Sequence, residues 1–386
     1  MQLLKEHAAS GMEVVGMDKI IHQVRSKKVK MSEVKPGMVV AKDIVTSEGF
    51  VLMAKDTMIS PGNYNRLRES AIKEIYIKEA TINIRPEEIL ERPQAKRPLS
   101  VPISQKPDFK EFAQEYEGKL EIAKNRIKAI SDGESVNVEE LYEITNSIVK
   151  KLRTKSDVLT YVSFLKEHDE YTYSHSSNVA LLSNMFATWL NFDETEMANL
   201  TTAGLLHDLG KLKIPLEILN KKGRLTEEEF NIMKSHTIVG YRILQNQNLP
   251  ESMKLAALMH HERIDGSGYP IGAKDAQISK YAKIIAICDI YDAMTANRVY
   301  RGRICPFEVI KRFEVSSFGE LDTDYLLTFL KNIAYTYFGS WVKLSNGVEA
   351  EIVYIHQNDL SRPIVRAGDT LIDIQKARDI SIVDVL

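Results

Sequence analysis

Five of the chain's 12 prolines, Pro86, Pro93, Pro98, Pro102 and Pro107, fall within 22 residues. Proline removes a backbone donor and fixes φ, so neither a helix interior nor a central strand can run through such a stretch. It reads as an extended linker over residues 91–108. The pieces on either side must each find their own core. With roughly 100–200 residues per domain, a chain of 386 residues has room for two or three units.

Before the linker, residues 1 to about 27 read as helical and partly polar. From Lys28 to about Ile84 short apolar runs (Val39-Val40, Phe50-Val51-Leu52-Met53) alternate with Pro36-Gly37 and Glu48-Gly49, the pattern of short strands between turns. A helix near Pro61–Ala71 and a strand at Glu74–Lys78 complete a small α/β module over residues 1–90. It is read as regulatory or dimerising, which makes a homodimer one expected state. After the linker the period changes. Leu120, Ala123, Ile127 and Ile130, then Leu141, Ile144 and Ile148, recur at helical intervals, and residues 109–335 read as an all-helical domain. Over residues 336–386 the period changes again. Val342 and Leu344, an Asn346-Gly347 turn, and Val348, Ala350 and Ile352 predict a hairpin, and the later runs at Pro363–Val365, Leu371-Ile372 and Ile380–Val385 predict further strands of a small β module.

Charge excludes some functions. Lys plus Arg number 51 against 53 Asp plus Glu, a formal net charge of −2, so there is no whole-chain basic footprint for a DNA or RNA polymer or an anionic membrane. The two cysteines, Cys288 and Cys305, are too few for a disulfide framework. No run of about 18 apolar residues occurs and the start lacks a signal-peptide core, so the expectation is a soluble cytoplasmic protein without a membrane partner.

The chemistry concentrates in the helical stretch. His207-Asp208 follows the apolar residues Ala203, Leu205 and Leu206, and Asp289 follows Ile284-Ile285-Ala286-Ile287-Cys288. A carboxylate in apolar surroundings is costly unless it is paired or binds a metal. Asp289 and Asp292, three apart, share a helical face. Together with His175, His236 and the His260-His261 pair, this set suits two first-row transition ions, which activate a shared water. Each piece alone also fits a surface or hydrogen-bonded core histidine. Nearby, Asp265-Gly266-Ser267-Gly268-Tyr269-Pro270 forms either an ordinary turn or a tight loop whose N–H groups face an anion. Lys211, Arg298 and Arg301 are cations suited to phosphate oxygens, or else a solvated basic face.

The segments His207-Asp208-Leu209-Gly210-Lys211, His260-His261-Glu262-Arg263-Ile264-Asp265-Gly266-Ser267-Gly268-Tyr269-Pro270 and Asp289-Ile290-Tyr291-Asp292-Ala293-Met294-Thr295 resemble the HD-GYP family, a branch of the HD phosphohydrolases, over roughly residues 160–330. The resemblance implies an all-α HD-type domain and hydrolysis of cyclic dinucleotides, mainly cyclic di-GMP, to linear pGpG, with GMP as a further product. It implies a metal set of His175, His207, Asp208, His236, His260, His261 and Asp289, with Asp208 bridging two iron or manganese ions. It makes Lys211 the phosphate-facing lysine and Asp292 its partner, and it assigns the substrate to Lys211, Tyr269, Arg298 and Arg301. Gly266 and Gly268 shape the loop that carries Tyr269. Thr237 stands where the family usually has proline. A third ion in the family uses a carboxylate one turn before the first histidine. Tyr171 holds that place here, with Asp169 and Glu170 further back, so a dinuclear centre is expected and a trinuclear one is the alternative. Two rival functions are a receptor that binds a cyclic dinucleotide without cutting it and a hydrolase of a mixed cyclic dinucleotide such as 3'3'-cGAMP. The complete ligand set argues against the receptor.

Overall fold

The computed structural model describes residues 23–81, except 36–37, 43, 46–50, 54–58, 60–63, 65–66 and 69–71, and residues 107–386, except 152–158, 160, 163–170, 222, 296–303 and 318. The chain divides into two compact units, Met1–Ala95 and Lys96–Leu386. Nearly all of the expected linker, and the expected helix over residues 1–22, lie outside the described residues.

In the first unit, strand β1 (Gln23–Lys30) is followed by β2 (Val39–Val40), β3 (Ile44–Val45), β4 (Val51–Met53) and β5 (Glu74–Thr81). β5 lies between β1 and β2 in an antiparallel sheet, and β3 pairs with β4. Gln23–Lys27, expected to be helical, is therefore strand. Its sequence is mostly polar, and its conformation comes from pairing with β5, in register from Gln23↔Thr81 to Lys30↔Glu74, rather than from propensity. Ile75 and Ile77 of β5 point to one face, where they meet Val29, Val34, Val40, Ile44, Met53, Ile59 and Leu67. Within the expected helix at 61–71, the described residues Tyr64, Leu67 and Arg68 are helical.

The described residues of the second unit are mainly helical up to residue 336. Its helices are α1 (Pro107–Ser131), α2 (Val138–Lys151), α3 (Tyr171–Trp189), α4 (Glu194–Leu206), the single turn α5 (Leu216–Leu219), α6 (Glu227–Lys234), α7 (His236–Leu244), α8 (Glu251–Met259), α9 (Lys280–Thr295), α10 (Pro306–Ser316) and α11 (Thr323–Thr336). Several start on caps that the sequence provides. The Asp193 carboxylate accepts from Glu196 N at 2.8 Å, Thr226 and Glu229 form a capping box, and Asp322 accepts from Tyr325 N. Helices α3, α4 and α9 are buried around most of their circumference: residues 175–187, Leu200–Leu206 and Ile284–Cys288 are all inaccessible. Such helices belong at the centre of a bundle. Small residues bring them close, and a Cβ on Gly204 would sit 2.8 Å from Ser183 Oγ and 3.2 Å from Ala180 Cα.

The C-terminal residues form an antiparallel sheet of β6 (Trp341–Leu344), β7 (Glu349–His356), β8 (Asp359–Ala367), β9 (Thr370–Asp373) and β10 (Ile382–Val385) in the order β10-β6-β7-β8-β9. Gly347, at φ 84°, closes the β6–β7 turn, and Val348 N donates to Asn346 Oδ1. The sheet does not stand apart from the helices. Val342, Leu344, Ala350, Ile352 and Val365 share one core with Phe307, Phe313, Phe329 and Leu330 of α10 and α11. No described helix is long and apolar enough to cross a membrane.

Candidate metal centre and active site

The polar residues singled out in the helical stretch come together where helices end. His175 projects from the first turns of α3, His207 is the C-cap residue of α4, and Asp208 follows it. A short 3-10 turn, Leu209–Lys213, then carries Lys211. His236 opens α7, His260 is the C-cap of α8, and Asp289 and Asp292 lie on α9. Gly210 allows the 3-10 turn to lie directly on α7. A Cβ there would be 1.9 Å from His236 O and 2.6 Å from Gly240 N. That close approach sets Asp208 against His236.

Two donor groups result. Asp208, His236, His260 and His261 form one, and His175, His207 and Asp208 form the other, each with its ligand atoms within 4.8 Å of one another. Asp208 belongs to both. Its Oδ1 lies 3.3 Å from His236 Nε2 and 3.6 Å from His260 Nε2, and its Oδ2 lies 3.3 Å from His207 Nε2 and 3.6 Å from His175 Nε2. Asp289 stands between the groups, 3.0 Å from His175 Nε2 and 3.8 Å from His261 Nδ1.

The residues present fit metal ions. Among the described residues, His207 Nε2 and Asp208 Oδ1 are buried and have no hydrogen-bond partner, an arrangement that is costly in a protein interior unless something else satisfies them. The opposite ring nitrogens are already engaged: His207 Nδ1 with Gly204 O at 2.7 Å, His236 Nδ1 with Met233 O at 2.7 Å, and His260 Nδ1 with Ala256 O and Ala257 O at 3.1 Å. A carbonyl can only accept, so Nδ1 carries the proton in each ring. In the neutral ring that leaves the Nε2 lone pair facing Asp208, the tautomer a metal requires. A donor set rich in imidazole and shared through a carboxylate suits first-row transition ions better than magnesium or calcium.

The electrostatics agree. Burial lowers His236 to about 4, and it also lowers His260 and, further, His261, so these rings are neutral. Burial alone would raise Asp208, but the Lys211 ammonium and then His207 hold it well below the usual carboxylate range. His175 is the exception. Burial works against its charge, yet its hydrogen bonds to Asp289 and Asp292 prevail and push it up to about 9. Nδ1 lies 2.8 Å from Asp292 Oδ2, so both nitrogens face carboxylates and the metal-free ring is an imidazolium. Asp289 is held low, against its burial, chiefly by the same ring.

Lys211, expected to face phosphate, is ion-paired with Asp208 Oδ2 and is part-buried. Asp292, expected as its partner, serves His175 Nδ1. Tyr269 stacks on His261, with ring centroids 4.7 Å apart and planes at 30°. Its loop is shaped by its glycines. Gly266 has φ +86°, and a Cβ on Gly268 would be 2.4 Å from Glu262 Cα and Arg263 N. Arg298 and Arg301 lie outside the described residues, as do Asp169 and Glu170, while Tyr171 begins α3.

Sequence reasoning missed Glu262. It is 2% exposed, and its two carboxylate oxygens accept from Ile271 N at 2.7 Å and Ala273 N at 2.9 Å, tying the far side of the Tyr269 loop to the end of α8. Its place inside the His260-His261-Glu262 run was the available signal. The structural role of Gly210 was equally hidden, although the residue stood in a motif.

Fold and site together define a helical bundle with a buried His/Asp cluster that could hold metal ions. Residues 160–312 match the family model for the HD domain. A cyclic di-GMP phosphodiesterase of Pseudomonas aeruginosa is 31% identical over 315 residues, 80% of this chain and 76% of that protein. A cyclic di-GMP phosphodiesterase of Thermotoga maritima is 43% identical over 148 residues, 38% of this chain and 40% of its own length. The 3'3'-cGAMP-specific phosphodiesterase 1 of Vibrio cholerae is 39% identical over 165 residues, 42% of this chain and 38% of its own. Among solved structures, an HDG"Y"P protein of Bdellovibrio bacteriovorus aligns over 79% of this chain and 98% of its own, with a TM-score of 0.47 and 15% identity. The chain belongs to the HD-GYP family of HD-domain phosphodiesterases.

Proposed function

We infer that this protein is a metal-dependent phosphodiesterase that hydrolyses cyclic di-GMP to linear pGpG, with GMP as a further product. The observation that carries the reading is the pair of histidine groups joined by one buried carboxylate, Asp208. A full ligand set on a rigid helical frame is what a hydrolase needs and what a simple receptor does not.

We propose His175, His207, Asp208, His236, His260, His261 and Asp289 as the residues that hold two iron or manganese ions. When bound, such ions supply Lewis-acid activation of water and of the phosphate oxygens. The chain's own residues do the rest. The Nδ1–carbonyl hydrogen bonds fix three rings before any ligand arrives. Burial excludes bulk water from Asp208, 2% exposed, and so strengthens each charge interaction there. Lys211, one turn past His207 and part-exposed, places an ammonium at the edge of the centre, where a phosphate oxygen can share it with Asp208. Tyr269 lies over His261 and walls one side of the site. Arg298 and Arg301 are proposed to grip the dinucleotide. The Vibrio cholerae relatives named for 3'3'-cGAMP keep the mixed dinucleotide as a second reading of the substrate.

Anaerobic purification, metal counting and product analysis on cyclic di-GMP test the proposal. Two transition ions per chain and release of pGpG are expected. One ion or none would remove the dinuclear centre, and tight binding of the dinucleotide without cleavage would replace the enzyme with a receptor.

A further inference from the structure

Helix α6, Glu227–Lys234, has no buried residue, yet it carries Phe230, 46% exposed. Phe230 is outside the buried core, and about half of its surface is open to solvent. Its position is informative. The Phe230 ring lies 6.3 Å from that of Tyr269 at 75°, and Tyr269 stacks on His261. Three rings thus step outward from the donor cluster to solvent. Lys234 Nζ lies 5.1 Å from the centre of the Phe230 ring. The helix is fixed with respect to the centre, because Met233 O, in its last turn, accepts from His236 Nδ1.

We propose that Phe230 is a base-stacking ledge that receives one purine of the cyclic dinucleotide when a phosphate occupies the centre. The proposal rests on reading the site as one for cyclic dinucleotides. A phenyl face offers a base a flat apolar surface without hydrogen bonds, so it holds guanine and adenine alike. Phe230 therefore contributes to affinity and not to the choice between cyclic di-GMP and 3'3'-cGAMP. Lys234, above the same ring, adds a positive charge beside the sugar-phosphate edge of the seated nucleotide.

The test compares the full-length parent with Phe230→Ala, Phe230→Leu and Phe230→Trp. Base stacking on an aromatic side chain corresponds to a loss of about 5- to 150-fold on its removal. Phe230→Ala and Phe230→Leu should weaken equilibrium binding of cyclic di-GMP by that factor and raise KM with little change in kcat, and Phe230→Trp should retain parent affinity. The losses should be equal for 3'3'-cGAMP and absent for methyl p-nitrophenyl phosphate, which carries no purine to seat on the ledge. Parent-like binding by Phe230→Ala overturns the ledge, as does equal damage to the dinucleotides and to methyl p-nitrophenyl phosphate, or full retention by Phe230→Leu. A parent protein that binds cyclic di-GMP without cutting it sinks the enzymatic reading instead, and the binding comparison still decides the ledge.

Discussion

Replacing Gly210 with alanine tests the idea that one close backbone contact assembles the centre. The added Cβ would lie 1.9 Å from His236 O, 2.6 Å from Gly240 N and 2.8 Å from His236 C, whereas ordinary contact begins near 3.4 Å. The first clash alone demands a shift of about 1.5 Å between the 3-10 turn and α7. All three atoms are backbone, so no flexible side chain can give way. Overpacking of this kind costs about 1–3 kcal/mol, and collision with backbone places it at the upper end. At about 2–4 °C per kcal/mol the melting temperature should fall by several degrees. The functional effect is larger. Asp208 is two residues from the clash and 3.3 Å from His236 Nε2, so the shift opens the carboxylate's contact with one donor group. Misplacing a reacting group by about 1 Å is enough to lose about 100-fold in rate. Gly210→Ala should therefore lose metal and at least that much turnover, read by elemental analysis, steady-state kinetics and thermal unfolding. Gly118→Ala in α1, where a Cβ would meet nothing within 4 Å, is the matched control and should gain about 0.5–1 kcal/mol. A Gly210→Ala protein that retains two ions and parental turnover would refute the reasoning.

Three other perturbations separate the parts of the site. Lys211→Ala removes an ammonium that cannot ligate a metal, so metal content should persist while turnover of cyclic di-GMP falls about 10- to 1000-fold; loss of metal would remove the phosphate role. Glu262→Ala leaves Ile271 N and Ala273 N without their buried acceptor, which should cost about 2–3 kcal/mol and loosen the Tyr269 loop, visible as faster amide exchange at both positions. In the metal-free protein His175 has its pKa raised from 6.5 to about 9, so its contribution to stability is complete below 6.5 and disappears as pH rises through about 9. Metal uptake near pH 7 must then release a proton from this ring, and apparent affinity should rise with pH up to about 9. Calorimetry in two buffers of different ionisation enthalpy measures the proton, and uptake without release would show His175 already neutral.

The bundle was legible because its helices carry apolar residues at helical spacing, as in Leu141, Ile144 and Ile148, and those residues are buried. The donor residues were legible as polar groups placed at the ends of apolar runs, where burial makes them costly without a purpose. What escaped depends on contacts distant in sequence. β1 has a charged sequence and becomes a strand only because β5, some 50 residues later, pairs with it. The C-terminal strands could be read from their turn and alternation, but their shared core with α10 and α11 could not, since nothing in the period names the partner surface. Gly210 is in a motif, yet its constraint comes from His236 and Gly240. Glu262 answers backbone donors nine and eleven residues further on, and backbone groups leave no trace in a sequence.

The placement of the histidines follows from the problem every helix end poses. The last carbonyls of a helix have no intrahelical partner and carry the negative end of its dipole. His207, His236 and His260 each lie three residues after a carbonyl of that kind, at Gly204, Met233 and Ala257, and each donates Nδ1–H to it. One hydrogen bond engages a carbonyl at the helix end, fixes the tautomer and turns Nε2 inward. Three helices ending around Asp208 thus present three lone pairs with no further ordering on metal binding, so little conformational entropy is lost at that step. His175 lies within a helix, whose carbonyls are already taken, and it depends on Asp292 in their place. A carboxylate, with its full negative charge, stabilises the protonated ring far more than a carbonyl does. In the proposed metal set, the same substitution of partner that orients His175 therefore makes it the ring expected to give up a proton, so that metal affinity would depend on pH through that residue.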